Sequence, residues 1–374
     1  MAKLQFSARS NHSLIDTEGS VLVDSTILLT RMAMGRNYSN DALATKYSTA
    51  ESEDYSALNR TLKEKLFKYC IGKAGLDSER LDVNNKAHVA EVMGHPVAEH
   101  MFFSIITQAL NSVNAATEVA DIMPMANIVG VGAGDSMTFE PETKKLYKVE
   151  DASYGSNTTR FERQFRSAIT LKPTPKSASV SFDVFQMSTL GYDFGKEISK
   201  IAMSFRTQLY QQVVDEIFTV ANVSSTPFYK AVYAKTTYLE LADRLAGANS
   251  SAPIAYGTTV AFSKMSDTVS GGFVVQDEAI KKGYITDLYG VRSSIIQQKV
   301  NTEDANFAFR VPNDRILLVS SVGDKPVKVV VEEWTRVQSE DGNSISLHEK
   351  QYRMFQSWVV DLATQSAYAI QKVS

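Results

Sequence analysis

The glycine run Gly130-Val131-Gly132-Ala133-Gly134-Asp135-Ser136 is the segment whose residue types most resemble a chemical device. Glycines at alternate positions after the apolar pair Ile128-Val129 could let backbone N–H groups approach a pyrophosphate, provided a helix N-terminus comes next. The next residues, Met137 through Val149, carry no helical apolar stripe and include Pro141, and no Walker lysine stands at the required spacing. The run therefore reads as a hinge or a tight strand turn. His95 and His100 bracket Glu99 in a way that resembles a zinc protease, but they are five residues apart. A helical metal pair needs one turn between its imidazoles, and a spacing of five misplaces them by nearly half a turn. The other histidines, His12, His88 and His348, lie in no nucleophile-elbow context, and no G-x-S-x-G is present. Cys70 is the single cysteine, so an intrachain disulfide is excluded; within the apolar-periodic stretch from Leu62 to Ile71 it reads as a small buried hydrophobe. The expectation is a protein that is not an enzyme and uses no cofactor and no metal.

The charges that stand out are Arg160, Arg163 and Arg166, with Lys144, Lys145 and Lys148 before them. They read either as a solvated positive edge or as a cationic strip that meets carboxylates on a neighbouring subunit. Nucleic-acid recognition would call for interleaved aromatics and a basic overall balance. Tyr154 and Phe161 alone are thin support for it, and the formal net charge is −3. At 44% hydrophobic and 22% charged, the 374 residues have the composition of a folded soluble protein with room for two or three lobes. No run of eighteen apolar residues suggests a membrane span, and the first residues lack the apolar core of a signal peptide.

The elements that must carry these charges are legible in outline. Residues 1–127 read as an extended start followed by helices, with Ser10 to Ser13 and Gly35 to Asp41 as polar turns. One helix is expected from about Tyr55 to Ile71, capped by Ser52 or Asp54, and another from Pro96 through Val113. From Ile128 to Leu190 the chain becomes a polar excursion. It goes out through Met137 to Glu140 and Leu146 to Val149, tips at Asp151 to Asn157, and returns through the alternating strand Ser177 to Val184. Phe194, Ile198, Ile201, Phe205, Leu209, Val213, Ile217 and Val220 then mark an amphipathic helix of about 45 Å, from near Tyr192 to Asn222. Further on, Tyr238 to Leu245 is helical, Ile254 to Phe262 is a strand candidate followed by a helix that Ser263 could cap, and the end is β-rich: Arg315 to Ser320, Val327 to Trp334 and Tyr352 to Val360. A hairpin feeding a long helix suits a subunit that grips its neighbours.

This block order resembles the major capsid protein of tailed bacteriophages, the Hong Kong 97-like fold shared with encapsulin shells. Gly134-Asp135-Ser136, Phe165 to Pro173 and Ser177 to Val184 look like the legs of its projecting E-loop, and Tyr192 to Asn222 looks like its spine helix. Gly283 to Val291 is similar to a strand pair of its axial lobe, and Tyr352 through Ile370 to its closing strands. The resemblance implies an α+β fold divided into an N-terminal arm and helices (1–127), an E-loop hairpin (128–190), a spine helix of the peripheral domain (191–225), an axial domain (226–310) and a peripheral sheet with C-terminal strands (311–374). It implies many copies of the chain closing as hexamers and pentamers into an icosahedral shell around double-stranded DNA, in a virion assembled in a bacterial cytoplasm. Scaffold, portal and decoration proteins would be further partners, and contact with DNA nonspecific. Expansion of such a shell would need hinges, for which Gly130, Gly132, Gly134 and Gly191 are candidates. The alternatives are an encapsulin-type compartment, another virion component such as a tail or decoration protein, and a nucleotide-binding enzyme built on the glycine run.

Overall fold

The computed structural model of the chain describes residues 16–37, 52–116, 125–140, 168–183, 193–266, 286–299, 308–321, 324–340, 349–362 and 367–373, with Val149 and Asn306 as single positions. The first described element is a helix, α1 (Thr17–Asn37), at a stretch where the sequence marked no helix; residues 1–15 lie outside the described residues. Hydroxyl residues disguise it in the sequence. Buried Thr26 and Thr30 each donate to the carbonyl four residues earlier, at 2.8 Å, and so spend their polarity inside the helix. Asp16 caps its start, accepting from the Gly19 N–H at 3.0 Å.

Among the described residues, three helices come after it: α2 (Ser52–Ala74), α3 (Lys86–Met93) and α4 (Pro96–Ala116). Cys70 is buried in α2, and burial pushes its thiol up to about 12, which fits the inert reading. Asp16 also joins α1 to the end of α2, accepting from the Tyr69 hydroxyl at 3.0 Å and the Lys73 ammonium at 2.6 Å. Lys73, then the Gly19 N–H, with the Tyr69 hydroxyl adding to them, hold the Asp16 carboxyl down at about 2. A depressed carboxylate stabilises the fold above its ordinary value near 3.8, and that stability is lost as the pH falls through about 2. The thermal-midpoint difference between wild type and Asp16→Asn should therefore shrink steadily as the pH falls from 4 to 2. A gap at pH 2 as large as the gap at pH 5 would refute this link.

The strands come next: β1 (Ala126–Val131), β2 (Met137–Phe139), β3 (Ile169–Leu171) and β4 (Thr174–Asp183). The long helix is α5 (Phe194–Phe218), capped by Asp193, which accepts from the Lys196 N–H at 2.9 Å. It ends four residues before the expected Asn222; a separate 3₁₀ turn spans Val220–Asn222. At its C-terminus Arg315 donates to the Phe218 carbonyl at 3.0 Å, a cation set where carbonyls are left over. Beyond it lie β5 (Tyr229–Lys230), α6 (Lys235–Asn249), β6 (Pro253–Gly257), α7 (Thr259–Ser266), β7 (Asp287–Leu288), β8 (Val291–Ile295), β9 (Arg315–Ser320), β10 (Val327–Glu340), β11 (Glu349–Leu362) and β12 (Ala369–Lys372).

Two sheets share α5 as their backing. One has the order β1-β10-β11-β4, and the other β5-β12-β9-β6-β8-β7. The first half of α5 packs with α1, α2 and α4 against Met354 and Trp358 of the four-stranded sheet. Its second half, Tyr210 to Phe218, enters a core with Leu317, Val319, Val327, Val329 and Ile370 from both sheets. The far face of the six-stranded sheet is covered by α6 and α7 through Leu241, Leu245, Phe262 and Met265. With both faces covered, β9 reads as the unbroken apolar run Ile316-Leu317-Leu318-Val319. The α+β class expected from the sequence is present, with helices first, then strands, then the long helix and a mixed lobe.

A boundary at residue 311 runs through the six-stranded sheet. β9 pairs with β6, and β12 with both β9 and β5, so only β10 and β11 of the late strands lie in the other sheet. The strand expected from Ile254 to Phe262 stops at Gly257. Thr258, rather than Ser263, caps the next helix, its hydroxyl accepting from the Ala261 N–H at 3.2 Å.

Candidate inter-subunit surface

The excursion begins where β1, held parallel to β10 over Ala126–Val131, runs out. Gly130 lies inside that ladder opposite Val331, so it is a paired strand residue rather than a free joint. The turn comes next: the Asp135 N–H donates to the Gly132 carbonyl at 3.1 Å, and Gly134 takes φ +81°, a left-handed conformation suited to glycine. Gly134 donates its N–H to the Glu332 carboxylate at 2.6 Å. The backbone donor that might have met a phosphate is thus satisfied by the chain's own anion. A strand, β2, comes next instead of a helix, which removes the nucleotide-cradle reading.

β2 pairs antiparallel with β3, Met137 opposite Leu171 and Phe139 opposite Ile169, so the chain positions just before and just after residues 140–168 lie side by side. The Thr138 and Thr170 hydroxyls meet at 3.0 Å across this pair. Phe139 and Leu171 pack on Val330, with Val129, Val131 and Val359 around them. This is the face of the four-stranded sheet turned away from α5, because residues on a strand alternate between faces. Beneath Phe139 lies Lys328, only 2% exposed, its ammonium 5.6 Å from the Phe139 ring centre and ion-paired with Asp324. A buried ammonium persists only with such partners. The base of the excursion is therefore clamped to β10 by an apolar patch, a buried cation and the Glu332 hydrogen bond.

The return leg differs from the expected one. Among the described residues, only β3 pairs with β2; Thr174–Asp183 is β4, which pairs antiparallel with β11, Trp358 opposite Thr174 and Glu349 opposite Asp183. Lys144, Lys145, Lys148, Arg160, Arg163, Arg166 and Gly191 lie outside the described residues. Of the candidate positions, Gly130, Gly132 and Gly134 are brought together at the base. Sequence reasoning missed Lys328 and Glu332. A lone lysine within Val327-Lys328-Val329-Val330-Val331 was the available signal, since a charge inside an apolar strand must find a partner. His100 is exposed on α4 and His95 half-buried, and among the described residues no group of three His, Cys, Asp or Glu could hold a metal ion. Among them, too, no helix is long and apolar enough to cross a membrane.

No protein-family model matches the chain, and no curated protein does. Solved structures do. A capsid chain of the native GTA particle is 12% identical with a TM-score of 0.47, covering 69% of this chain and 91% of that one. A phage-related protein from Bordetella bronchiseptica RB50 is 11% identical with a TM-score of 0.47, covering 70% and 95%. A chain of the mature capsid of bacteriophage PhiM1 is 12% identical with a TM-score of 0.43, covering 67% and 86%. Over about two thirds of its length, this chain is similar to subunits of phage and GTA-particle capsids.

Proposed function

We propose that the chain is a structural shell protein of the phage major capsid type, many copies of which assemble as hexamers and pentamers around double-stranded DNA. The observation that carries this reading is the clamped excursion. The strands on either side of residues 140–168, Met137–Phe139 and Ile169–Leu171, pair with each other and are fixed by Phe139, Leu171, Lys328 and Glu332. A long segment with a firmly oriented base serves a protein that must reach a neighbour at a set angle. The helix α5, which spans the cores beneath both sheets, supplies a stiff body against which such reach can be held. Lys144, Lys145, Lys148, Arg160, Arg163 and Arg166 would meet carboxylates of an adjacent copy. Bending would fall at the Gly132–Gly134 turn and at Gly191. The role is mechanical rather than enzymatic, with the virion capsid as its site.

Mass photometry of the purified chain tests the proposal. Particles of megadalton mass and narrow distribution are expected, against 41.3 kDa for one chain. A population that stays at one chain at all concentrations would refute it.

A further inference from the structure

We infer that the outer edge of β4 pairs, strand to strand, with the distal edge of β10 in a second copy of this chain. The inference rests on the shell reading above and adds a specific contact to it. β4 is the last strand of its sheet, and among the described residues nothing pairs with its outer side. At the other flank, β1 stops at Val131 opposite Glu332, while β10 continues to Glu340; its ladder to β11 shifts register between Val331 and Thr335, and from Thr335 to Glu340 it has β11 on one side and, among the described residues, no strand on the other. β4 and β10 both run antiparallel to β11, which makes them parallel flanks of one three-stranded ribbon.

Open edges are normally blunted by charge, proline, bulges or a cover. From Ser177 to Phe182, β4 has no charge, no proline and no glycine; Lys176 and Asp183 only bracket it. The small exposed Ser177 and Ser179 leave its backbone approachable. Pro175 lies within β4 opposite Ser357. Lacking an N–H, a proline on an edge strand turns its nitrogen to the open side. By two-residue alternation the N–H groups of Ser177, Ser179 and Ser181 then point outward too. A row of unused donors on one flank and an open ladder on the opposite flank of the same ribbon form a heterologous pair. Head-to-tail use of two such flanks closes a ring when the rotation fits, and strand addition supplies main-chain hydrogen bonds whatever the side chains.

Ser179→Pro tests this, because it deletes an outward donor and leaves the ladder to β11 intact. The variant should keep the wild-type unfolding midpoint as an unassembled chain and lower the assembled fraction at least tenfold. Amide hydrogen exchange on the wild type gives an independent reading should the variant fold poorly. Assembly should slow exchange at least tenfold at Ser177, Ser179 and Ser181 and within residues 333–340. If Ser179→Pro assembles normally, or these amides exchange equally in free and assembled protein, the pairing is wrong. Protection of β4 without residues 333–340 would assign its partner to another segment and overturn the pairing as stated. A wild-type chain that never assembles would instead overturn the shell reading itself.

Discussion

Trp358→Ala is expected to cost about 3–5 kcal/mol of stability, the range for truncating a large buried aromatic. The indole is 1% exposed and sits where β11 meets the long helix. Its Nε1 donates to the Gln212 side-chain oxygen at 2.8 Å, and its ring meets Phe205 edge-on at 5.9 Å and 87°. Both partners are on α5, so one side chain joins the four-stranded sheet to the spine by packing and by a hydrogen bond. Trp358→Phe separates the two contributions. It keeps most of the packing and loses the N–H, for which about 1–2 kcal/mol is expected. Denaturant unfolding of the unassembled chain measures both. A loss below about 1 kcal/mol in Trp358→Ala, well under the range for a buried aromatic, would show that this junction does not hold the sheet to the helix.

Gly195→Val is the second large effect, expected to cost roughly 3–5 kcal/mol from overpacking and a lost hydrogen bond together. A Cβ at Gly195 would stand 2.7 Å from Leu29 Cγ and 3.0 Å from the Tyr55 hydroxyl. The first is the branch point of a fully buried side chain on α1, which cannot swing aside as a flexible end would. The second is the hydroxyl that donates to the Asp193 carboxylate, the N-cap of α5. Overpacking costs about 1–3 kcal/mol, and loss of a hydrogen bond to a charged group about 1.5–3. Alanine gains up to ~1 kcal/mol of helix propensity over glycine, so Gly195→Ala should be milder than Gly195→Val. Unfolding midpoints of both variants check the order. A valine variant as stable as wild type would mean that α1 and α2 do not seat the start of the long helix this closely.

How much of the fold was legible in the sequence depended on the range of the forces involved. The spine helix was readable because a stripe from Ile198 to Ile217 repeats at helical spacing, and its burial agrees with that stripe. α1 was not, because its serines and threonines look like loop formers until their hydroxyls are seen bonded to the preceding turn. The end of β6 was misplaced because a short apolar run such as Ile254 to Phe262 has no period that tells strand from helix. The sheets were the least readable part. Nothing local in Ala369–Lys372 says that it pairs with β9 and β5 rather than continuing beside β11. At the candidate surface, the failure of the glycine run as a phosphate cradle could be read from the missing helix. Its occupation by Glu332, 198 residues away in the chain, could not.

Cryo-electron microscopy of the assembled wild-type chain tests the central claim most directly. The expected result is closed shells of uniform diameter built from rings of five and six copies, with density for residues 140–168 lying against an adjacent copy. A persistent single chain, or shells in which that segment folds back on its own body, would contradict it.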